Sequence, residues 1–492
     1  ALDLIGNAKG HVFTMQDIPI EDSETYDMIG RADTVGVFQI ESRAQMSMLP
    51  RMKPRCFYDL VIEVAIVRPG PIQGGMVHPY LRRRQGLEPV VYPSEVLKEA
   101  LGRTLGVPIF QEQVMQIAML AAGFTAGQAD GLRRAMAAWK RKGGLHKYED
   151  LLVNGMRERG YDSAFIESIC QQIKGFSEYG FPESHAASFA LLVYASCWIK
   201  CHYPAQFLVA MLNSQPLGFY TPSQLVQDAR RHDVTVRPVD VMDSDWDCTI
   251  QDEDGAFEVR LGLRLVSHLA KATGLRIVEA RQRAPFDSAD DLARRAGVSD
   301  SEMKVLAGAD ALMSLSGHRR QQVWDAAALK AAPALLTEAP IDEDYLELRA
   351  APEGEEVVWD YASTGLTLRS HPLALLRPRL ARRGLLSAAQ LDKAADGQVV
   401  RACGIVTLRQ QPETAKGTIF VSLEDETGTV QVICWKSIRE TQREALLKAR
   451  LMAVQGVWQR AGLVKNLIAQ EIRDLTPMLG RLGSLGRSRD FR

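Results

Sequence analysis

Arg133 and Arg134 recur one heptad later as Lys140 and Arg141 in the stretch GLRRAMAAWKRK, Gly131 to Lys142. On a helix these positions run along one face. No carboxylate interrupts the stretch. Clustered cations without acidic partners repel one another, so the row invites an external anion, most simply a phosphate chain; the plainer reading is a solvated basic face. A second stretch, Phe176 to Lys200 (FSEYGFPESHAASFALLVYASCWIK), places Tyr179 and Gly180 just before Ser184 and His185. Ser184 suits the N-cap of the helix that continues AASFALLVY, and a histidine at that end either completes the cap or hydrogen-bonds a phosphate or sugar.

Helices have to position these groups. PIFQEQVMQIAMLAAGF, Pro108 to Phe124, is amphipathic, with Val114, Ile117, Leu120 and Ala121 on one side. Gln111, Glu112 and Gln113 crowd its first turn, where polar side chains cap or reach outward. Upstream, Thr34 to Ile40 has the β-branched and aromatic content of a strand, and Glu41-Ser42-Arg43 opens a helix. A helical run through Val67 then stops at RPGPIQGGM. Arg68 heads that glycine-rich loop, which can approach a phosphate closely or simply connect two helices. Arg82, Arg83 and Arg84 form a further basic cluster, read as solvated.

The 492 residues are 46% hydrophobic and 24% charged, which suits a soluble globular chain of roughly three domains. A formal net charge of −1 excludes a uniformly basic coat, so a polyanion has to be met by local patches. Seven cysteines without CxxC pairs argue for reduced thiols and a cytoplasmic setting. Cys197, Cys201 and His202 are neighbours on one helix, but no fourth ligand is apparent and core packing is the expectation. The longest nearly apolar run, Ala186 to Ile199, is too short to cross a bilayer, and no membrane partner is expected. The opening ALDLIGNAKG has neither a methionine nor a signal sequence and reads as a start within a longer protein.

The ordered succession VFQIESR, VRPGPIQGGM, IFQEQVMQIA, ADGLRRAM, YGFPESHAASFALLVY and KCHYPAQF resembles the fingers of the bacterial C-family DNA polymerases, the DNA polymerase III alpha subunits. The stretch PESHAASFALLVYASCWIKCHYPAQF and the closing SRDF are closer to the error-prone, damage-inducible type than to the principal replicative type. The resemblance implies a DNA-directed DNA polymerase, a nucleotidyltransferase acting in translesion synthesis and DNA repair. In it, Arg133 and Arg134, with Lys140 of the same row, meet the triphosphate of the incoming dNTP. Tyr179, Ser184 and His185 then lie near the nascent base pair. Bidentate guanidinium contacts suit the charge that phosphoryl transfer spreads over phosphate oxygens. The resemblance also assigns the Mg²⁺-binding aspartates to a palm upstream of VFQIESR. Asp17, Glu21 and Asp22 stand nearby in sequence, but IPIEDSETYD does not resemble the paired-aspartate motif. The chain is thus expected to grip substrate with no catalytic or metal-binding residue of its own. Implied partners are primer-template DNA, dNTPs, and an accessory mutagenesis protein that is an inactive homologue of Y-family polymerases. No clamp-binding peptide stands between Leu329 and Asp360, so the sliding clamp is expected to be reached indirectly. The alternative is a non-catalytic DNA-binding or regulatory protein built from the same modules.

After Tyr220 the composition changes. SQLVQDARRH reads as a helix, VTVRPVDV as a short strand, and Trp246 as a buried anchor. Phe257 to Arg281 has a helix–turn–helix pattern of the helix-hairpin-helix kind, with a degenerate copy over Asp290 to Trp324. Such hairpins offer backbone amides at a glycine turn to DNA phosphates. Here the turn reads VSHLAKATG, so the usual GxG is lost while Lys271 and Gly274 remain. Ala331 to Glu356 is an acidic connector, and Tyr361 to Leu373 is expected to dock as a helix. Gly397 to Thr476 alternates with period two around a turn at Thr427-Gly428 and a helix between Ser437 and Lys448, the pattern of an OB-fold. Arg409, Lys416 and Trp435 are its candidate single-strand contacts, with Phe420 read as barrel filling. Arg481, Arg487, Arg489 and Arg492 make a basic tail.

The expectation is a multidomain α+β chain: mostly α-helical fingers, a helix-hairpin-helix domain and a C-terminal OB-fold β-barrel. Its segments are 1–32, end of palm or connector; 33–220, fingers; 221–330, end of fingers and tandem hairpins; 331–396, connector and docking helices; 397–476, OB-fold; and 477–492, tail.

Overall fold

The computed structural model describes the chain except residues 69–74, 93, 143–144, 177–180, 218–219, 254–255, 330–345, 413–416, 463, 486–488 and 492. For 137–142, 145–147, 174–176, 252–253, 256, 461, 485 and 489–491 it describes the backbone alone. Two compact units divide the chain, one essentially 9–203 and the other essentially 204–492. The division falls at Tyr203 and Pro204, inside the segment expected as fingers.

The first unit is helical: α1 (Ser23–Gly30), α2 (Arg43–Met52), α3 (Phe57–Ile66), α4 (Val77–Arg84), α5 (Glu95–Leu101), α6 (Gln111–Ala122), α7 (Ala126–Lys142), α8 (Leu145–Glu158), α9 (Ser163–Phe176) and α10 (Glu183–His202). Its core is the pairing of α3 with α10. In α3 every residue from Asp59 to Ile66 is buried, the carboxylates Asp59 and Glu63 included. Local signals set the helix starts. Ser42 and Gln45 form the capping box that opens α2, as Glu41-Ser42-Arg43 predicts. Gln113 does the same at α6: its Oε1 accepts from the amides of Ile109 (2.8 Å) and Phe110 (3.1 Å), while Nε2 donates to Ala100 O at 3.1 Å.

Thr34 to Ile40 is not a strand. Gly36 and Gln39 adopt left-handed φ of 78° and 68°, which breaks the pleat, and the segment curls into turns that bury Val37 and Ile40. The buried Lys200 ammonium pins this turn, donating to Val35 O at 3.1 Å and pairing with Asp33 at 3.2 Å.

The second unit begins with α11 (Pro204–Asn213) and α12 (Pro222–Arg231). A small sheet follows, β1 (Val236–Arg237) parallel to β3 (Ala256–Arg260), which pairs antiparallel with β2 (Thr249–Glu253). Where the helix–turn–helix pattern expected over Phe257 to Arg281 would open with a helix, the chain is β3 and a 3-10 turn, Leu263–Leu265. Strand pairing wins because Val259 is fully buried and Glu258 ties to Arg237 across the sheet at 2.5 Å. α13 (Lys271–Arg283) stands as the remaining helix of that copy. The second copy is a true hairpin, α14 (Ala289–Ala296) ending on Gly297 at φ 60° and α15 (Asp300–Gly308) opened by Ser299. α16 (Met313–Ser316), α17 (Arg319–Ala328) and α18 (Glu353–Ser363) complete this layer. Tyr361 to Leu373 docks as expected but mostly without helix: Arg369 pairs with Asp310 (2.7 Å) and Asp360 (3.1 Å) before α19 (Pro372–Ala381) begins.

The C-terminal strands β4 (Val399–Gln410), β5 (Ile419–Asp425), β6 (Gly428–Cys434), β7 (Leu451–Ala461) and β8 (Val464–Asp474) close into a barrel. The ring runs β4–β5–β6–β8–β7–β4, with β6 and β8 parallel. Helices α20 (Lys436–Thr441) and α21 (Arg443–Lys448) lie between β6 and β7, the connectivity of an OB-fold. Ile419, Val421 and Leu423 point into the barrel beside Trp458 and Leu467. Phe420 alternates to the outer face and is only half-buried, so it does not fill the barrel. Part of the expected tail is also ordered as backbone, since β9 (Arg489–Phe491) adds parallel to β4. Arg487 and Arg492 lie outside the described residues; Arg481 is exposed.

Candidate nucleic-acid interface

In the first unit, the start of α10 is assembled with help from α6. Phe110 bridges Phe181, whose carbonyl accepts from the Gln111 amide at 3.3 Å. Glu112 Oε2 accepts from the Glu183 amide at 3.0 Å. This carboxylate does the capping expected of Ser184. Pro182 is the extended residue before the helix, which moves Ser184 inside the first turn with an exposed side chain. Glu183 in turn accepts from Tyr58 Oη at 2.7 Å and pairs with Arg103 at 3.4 Å. Burial, and then this hydrogen bond to Glu183, push the Tyr58 phenol well above its usual range.

His185 is exposed and stands edge-on to Phe189 (4.5 Å) and Phe181 (5.2 Å), with Phe38 tilted against Phe189 at 5.4 Å. Arg68 lies over the Phe181 ring at 4.8 Å and donates to Val64 O at 3.1 Å and to Gln39 Oε1 at 2.5 Å. The arrangement joins a cation, an imidazole and partly open rings on one surface. Such a surface can stack a base and hydrogen-bond a phosphate or sugar. Phe38, Phe189 and Gln39 were not singled out from sequence, although the four-residue spacing of His185 and Phe189 puts them on one face of α10. Glu41 follows this segment, and burial lifts its carboxyl to about 7.

Arg133 and Arg134 are outside this cluster and have an acidic partner after all. Arg133 donates through Nε (3.0 Å) and Nη2 (2.8 Å) to Asp130 Oδ1, and Arg134 pairs with Oδ2 at 2.9 Å. Asp130 precedes the cationic stretch by one residue, yet stands one turn before both arginines, where helical spacing makes it a neighbour. The Arg133 hydrogen bonds hold its carboxyl below the usual range. Arg134 keeps 70% of its side chain exposed and Arg133 41%. Exposed pairs of this kind are screened by solvent and weak, so a polyphosphate can compete for the guanidiniums. α7 and α8 approach closely beside them: a Cβ on Gly131 would sit 2.4 Å from Tyr148 Oη. The side chain of Lys140, and Tyr179 entirely, lie outside the described residues.

In the second unit the expected contacts separate by burial. Arg409 is 5% exposed and donates from Nε to Leu446 O at 2.7 Å and from Nη2 to Ala449 O. Its guanidinium holds the end of α21 against the barrel rather than facing solvent, so a direct DNA contact is excluded in this state. Trp435 is 52% exposed. Phe420, Ile433 and Ile468 stand side by side in register on the outer face of neighbouring strands. Lys271 is exposed at the first turn of α13. Gly274 serves packing: its Cβ would meet the Trp246 ring at 2.5 Å. Lys416 lies outside the described residues.

The carboxylates near the start are occupied locally. Asp17 accepts from the Thr14 amide (2.7 Å), Glu21 from the Phe57 amide (3.1 Å), and Asp22 caps α1 through the Thr25 amide (2.9 Å). Among the described residues these three do not form a carboxylate pair open to two Mg²⁺ ions. No helix among them is long and apolar enough to cross a membrane.

Comparison with known proteins agrees with these modules. Residues 1–160 match the bacterial DNA polymerase III alpha subunit finger domain, 233–322 a helix-hairpin-helix motif, and 393–475 an OB-fold nucleic acid binding domain. Over residues 1–160 the chain is thus similar to the bacterial DNA polymerase III alpha subunit. Over its full length it is 56% identical to 48% of an error-prone DNA polymerase from Alkalilimnicola ehrlichii and to 47% of one from Bordetella bronchiseptica. It is 53% identical to 48% of another from Methylococcus capsulatus. The chain therefore spans about half the length of the curated relatives it matches.

Proposed function

We propose that this chain is the substrate-gripping half of an error-prone DNA-directed DNA polymerase, holding incoming dNTP and primer-template DNA. The observation that carries the reading is the cluster in which the exposed His185 and the half-buried Arg68 and Phe189 gather around the buried Phe181 ring, in the same unit as most of the finger-domain match. Arg133 and Arg134 supply triphosphate contacts by exchanging Asp130 for phosphate oxygens, with Lys140 continuing the row. Tyr179, Ser184 and His185 border the nascent pair. Lys271, Lys416 and Trp435 track DNA by charge and stacking, without reading bases. Mg²⁺ serves the whole polymerase through carboxylates other than those described here. Translesion synthesis, an accessory mutagenesis protein and an indirect link to the sliding clamp complete the proposal, in a cytoplasmic setting.

Mg²⁺-dependent primer extension by a longer protein containing this chain tests the reading. Arg133→Ala should raise the KM for dNTP at least about tenfold, the cost of losing a charge-assisted contact of about 1.5–3 kcal/mol. An unchanged KM would remove Arg133 from the site. A second reading is a non-catalytic DNA-binding protein built from the same helix-hairpin-helix and OB modules. In that case DNA affinity would not respond to a correctly paired dNTP.

A further inference from the structure

The last turn of α10 carries Cys201 and His202, and the start of α1 packs beside it. Glu24, Cys201 and His202 bring one carboxylate oxygen, one thiol sulfur and one ring nitrogen within 4.8 Å of one another. Asp22 adds a further carboxylate, its Oδ2 lying 2.9 Å from His202 Nε2. The donors come from two helices far apart in sequence, so the fold and not a local motif gathers them. Cys201 and His202 are half-buried and Glu24 is exposed, which leaves the group accessible to an ion from solvent.

We propose that Glu24, Cys201 and His202, with Asp22, form a Zn²⁺ site that staples the start of α1 to the end of α10. Thiolate, imidazole and carboxylate together suit zinc and not magnesium or calcium, which prefer all-oxygen sets. Bond lengths of about 2.0–2.3 Å in a tetrahedral centre put donor atoms roughly 3.3–3.8 Å apart, a contraction that side-chain rotation on two packed helices supplies. Asp22 already accepts from the Thr25 amide (2.9 Å) and hydroxyl (2.7 Å), so its carboxylate is held in place to orient His202. Burial, then the charges of Asp22 and Glu24, raise the Cys201 thiol in the metal-free chain, and Arg31 opposes them. A bound dication reverses that balance, and binding releases the thiol proton to solvent. The site lies at the opposite end of α10 from His185 and is independent of the polymerase reading.

The test loads the chelator-treated full chain with Zn²⁺, removes free ion by gel filtration and measures bound metal, with Co²⁺ as a spectroscopic substitute. About one equivalent of zinc is expected to remain, with an intense tetrahedral Co²⁺ spectrum and sulfur-to-cobalt charge transfer. Zn²⁺ should raise Tm by about 5 °C. Cys201→Ser and His202→Gln should each abolish retention, while Cys434→Ser in the barrel core retains it. Should a variant misfold, the wild-type cobalt spectrum decides alone: absence of sulfur charge transfer overturns the site. Retention of a full equivalent by Cys201→Ser/His202→Gln, or no retention by wild type, would equally overturn it.

Discussion

The guanidinium of Arg409 donates from Nε to the main-chain oxygen of Leu446 at 2.7 Å, joining strand β4 to the last turn of α21 inside the OB-fold. A residue whose type suggests a nucleic-acid contact is thereby committed to the barrel. Arg409→Ala should cost about 2–4 kcal/mol, since buried carbonyls lose their donor. Single-strand affinity of the molecules that remain folded should not change. Thermal melts set against fluorescence anisotropy separate the two effects.

Trp435 should behave in the opposite way. It is half-exposed at the start of α20. Trp435→Ala should weaken oligonucleotide binding by about 1–3 kcal/mol, the worth of one stacked base, and leave Tm nearly unchanged. Equal affinities for variant and parent would exclude Trp435 from the interface.

Glu63 is fully buried on α3, and burial raises its carboxyl to about 8. Its unfolded value is near 4.5. Below that value both states are protonated and the stability is fully present; between 4.5 and about 8 only the unfolded state ionises, so stability falls as pH rises. The loss is on the order of 5 kcal/mol at most. Glu63→Gln should flatten this slope and stabilise the chain at pH 8, which denaturant midpoints measured across the range would reveal. A slope unchanged by the substitution would assign it elsewhere.

Asp130→Asn removes the charge that Arg133 and Arg134 now share. In a longer, active protein the KM for dNTP should fall, by no more than a few fold, because a weak, solvent-screened pair no longer competes with phosphate. A rise in KM would instead mean that Asp130 positions the arginines.

Gly155 lets α8 meet α6: a Cβ there would come 2.2 Å from Ala122 O, a backbone atom that cannot swing away. Gly155→Ala should therefore destabilise the first unit by more than about 1 kcal/mol, despite alanine's better helix propensity. Chemical denaturation of the two proteins gives the comparison.

Much of this architecture was legible in the chain because local signals point the same way as the final packing. Period-two alternation from Gly397 to Thr476 specified the barrel strands, and the Ser42–Gln45 capping box specified the start of α2. Helical spacing alone also placed Arg133 and Arg134 on one face. Other features depended on residues distant in sequence. Thr34 to Ile40 has strand composition, but two left-handed residues and the buried Lys200 fold it into a turn. Ser184 has the right type for a cap, but Glu112 from another helix already holds the Glu183 amide. Arg409 has the right charge for DNA, but a helix end in the barrel claims it. Residue type and periodicity determined which elements form and which face is apolar, because those depend on neighbours a few positions away. Only the tertiary structure decided which polar groups were left for a ligand, because burial and hydrogen-bond partners are assigned when distant segments compete for the same atoms.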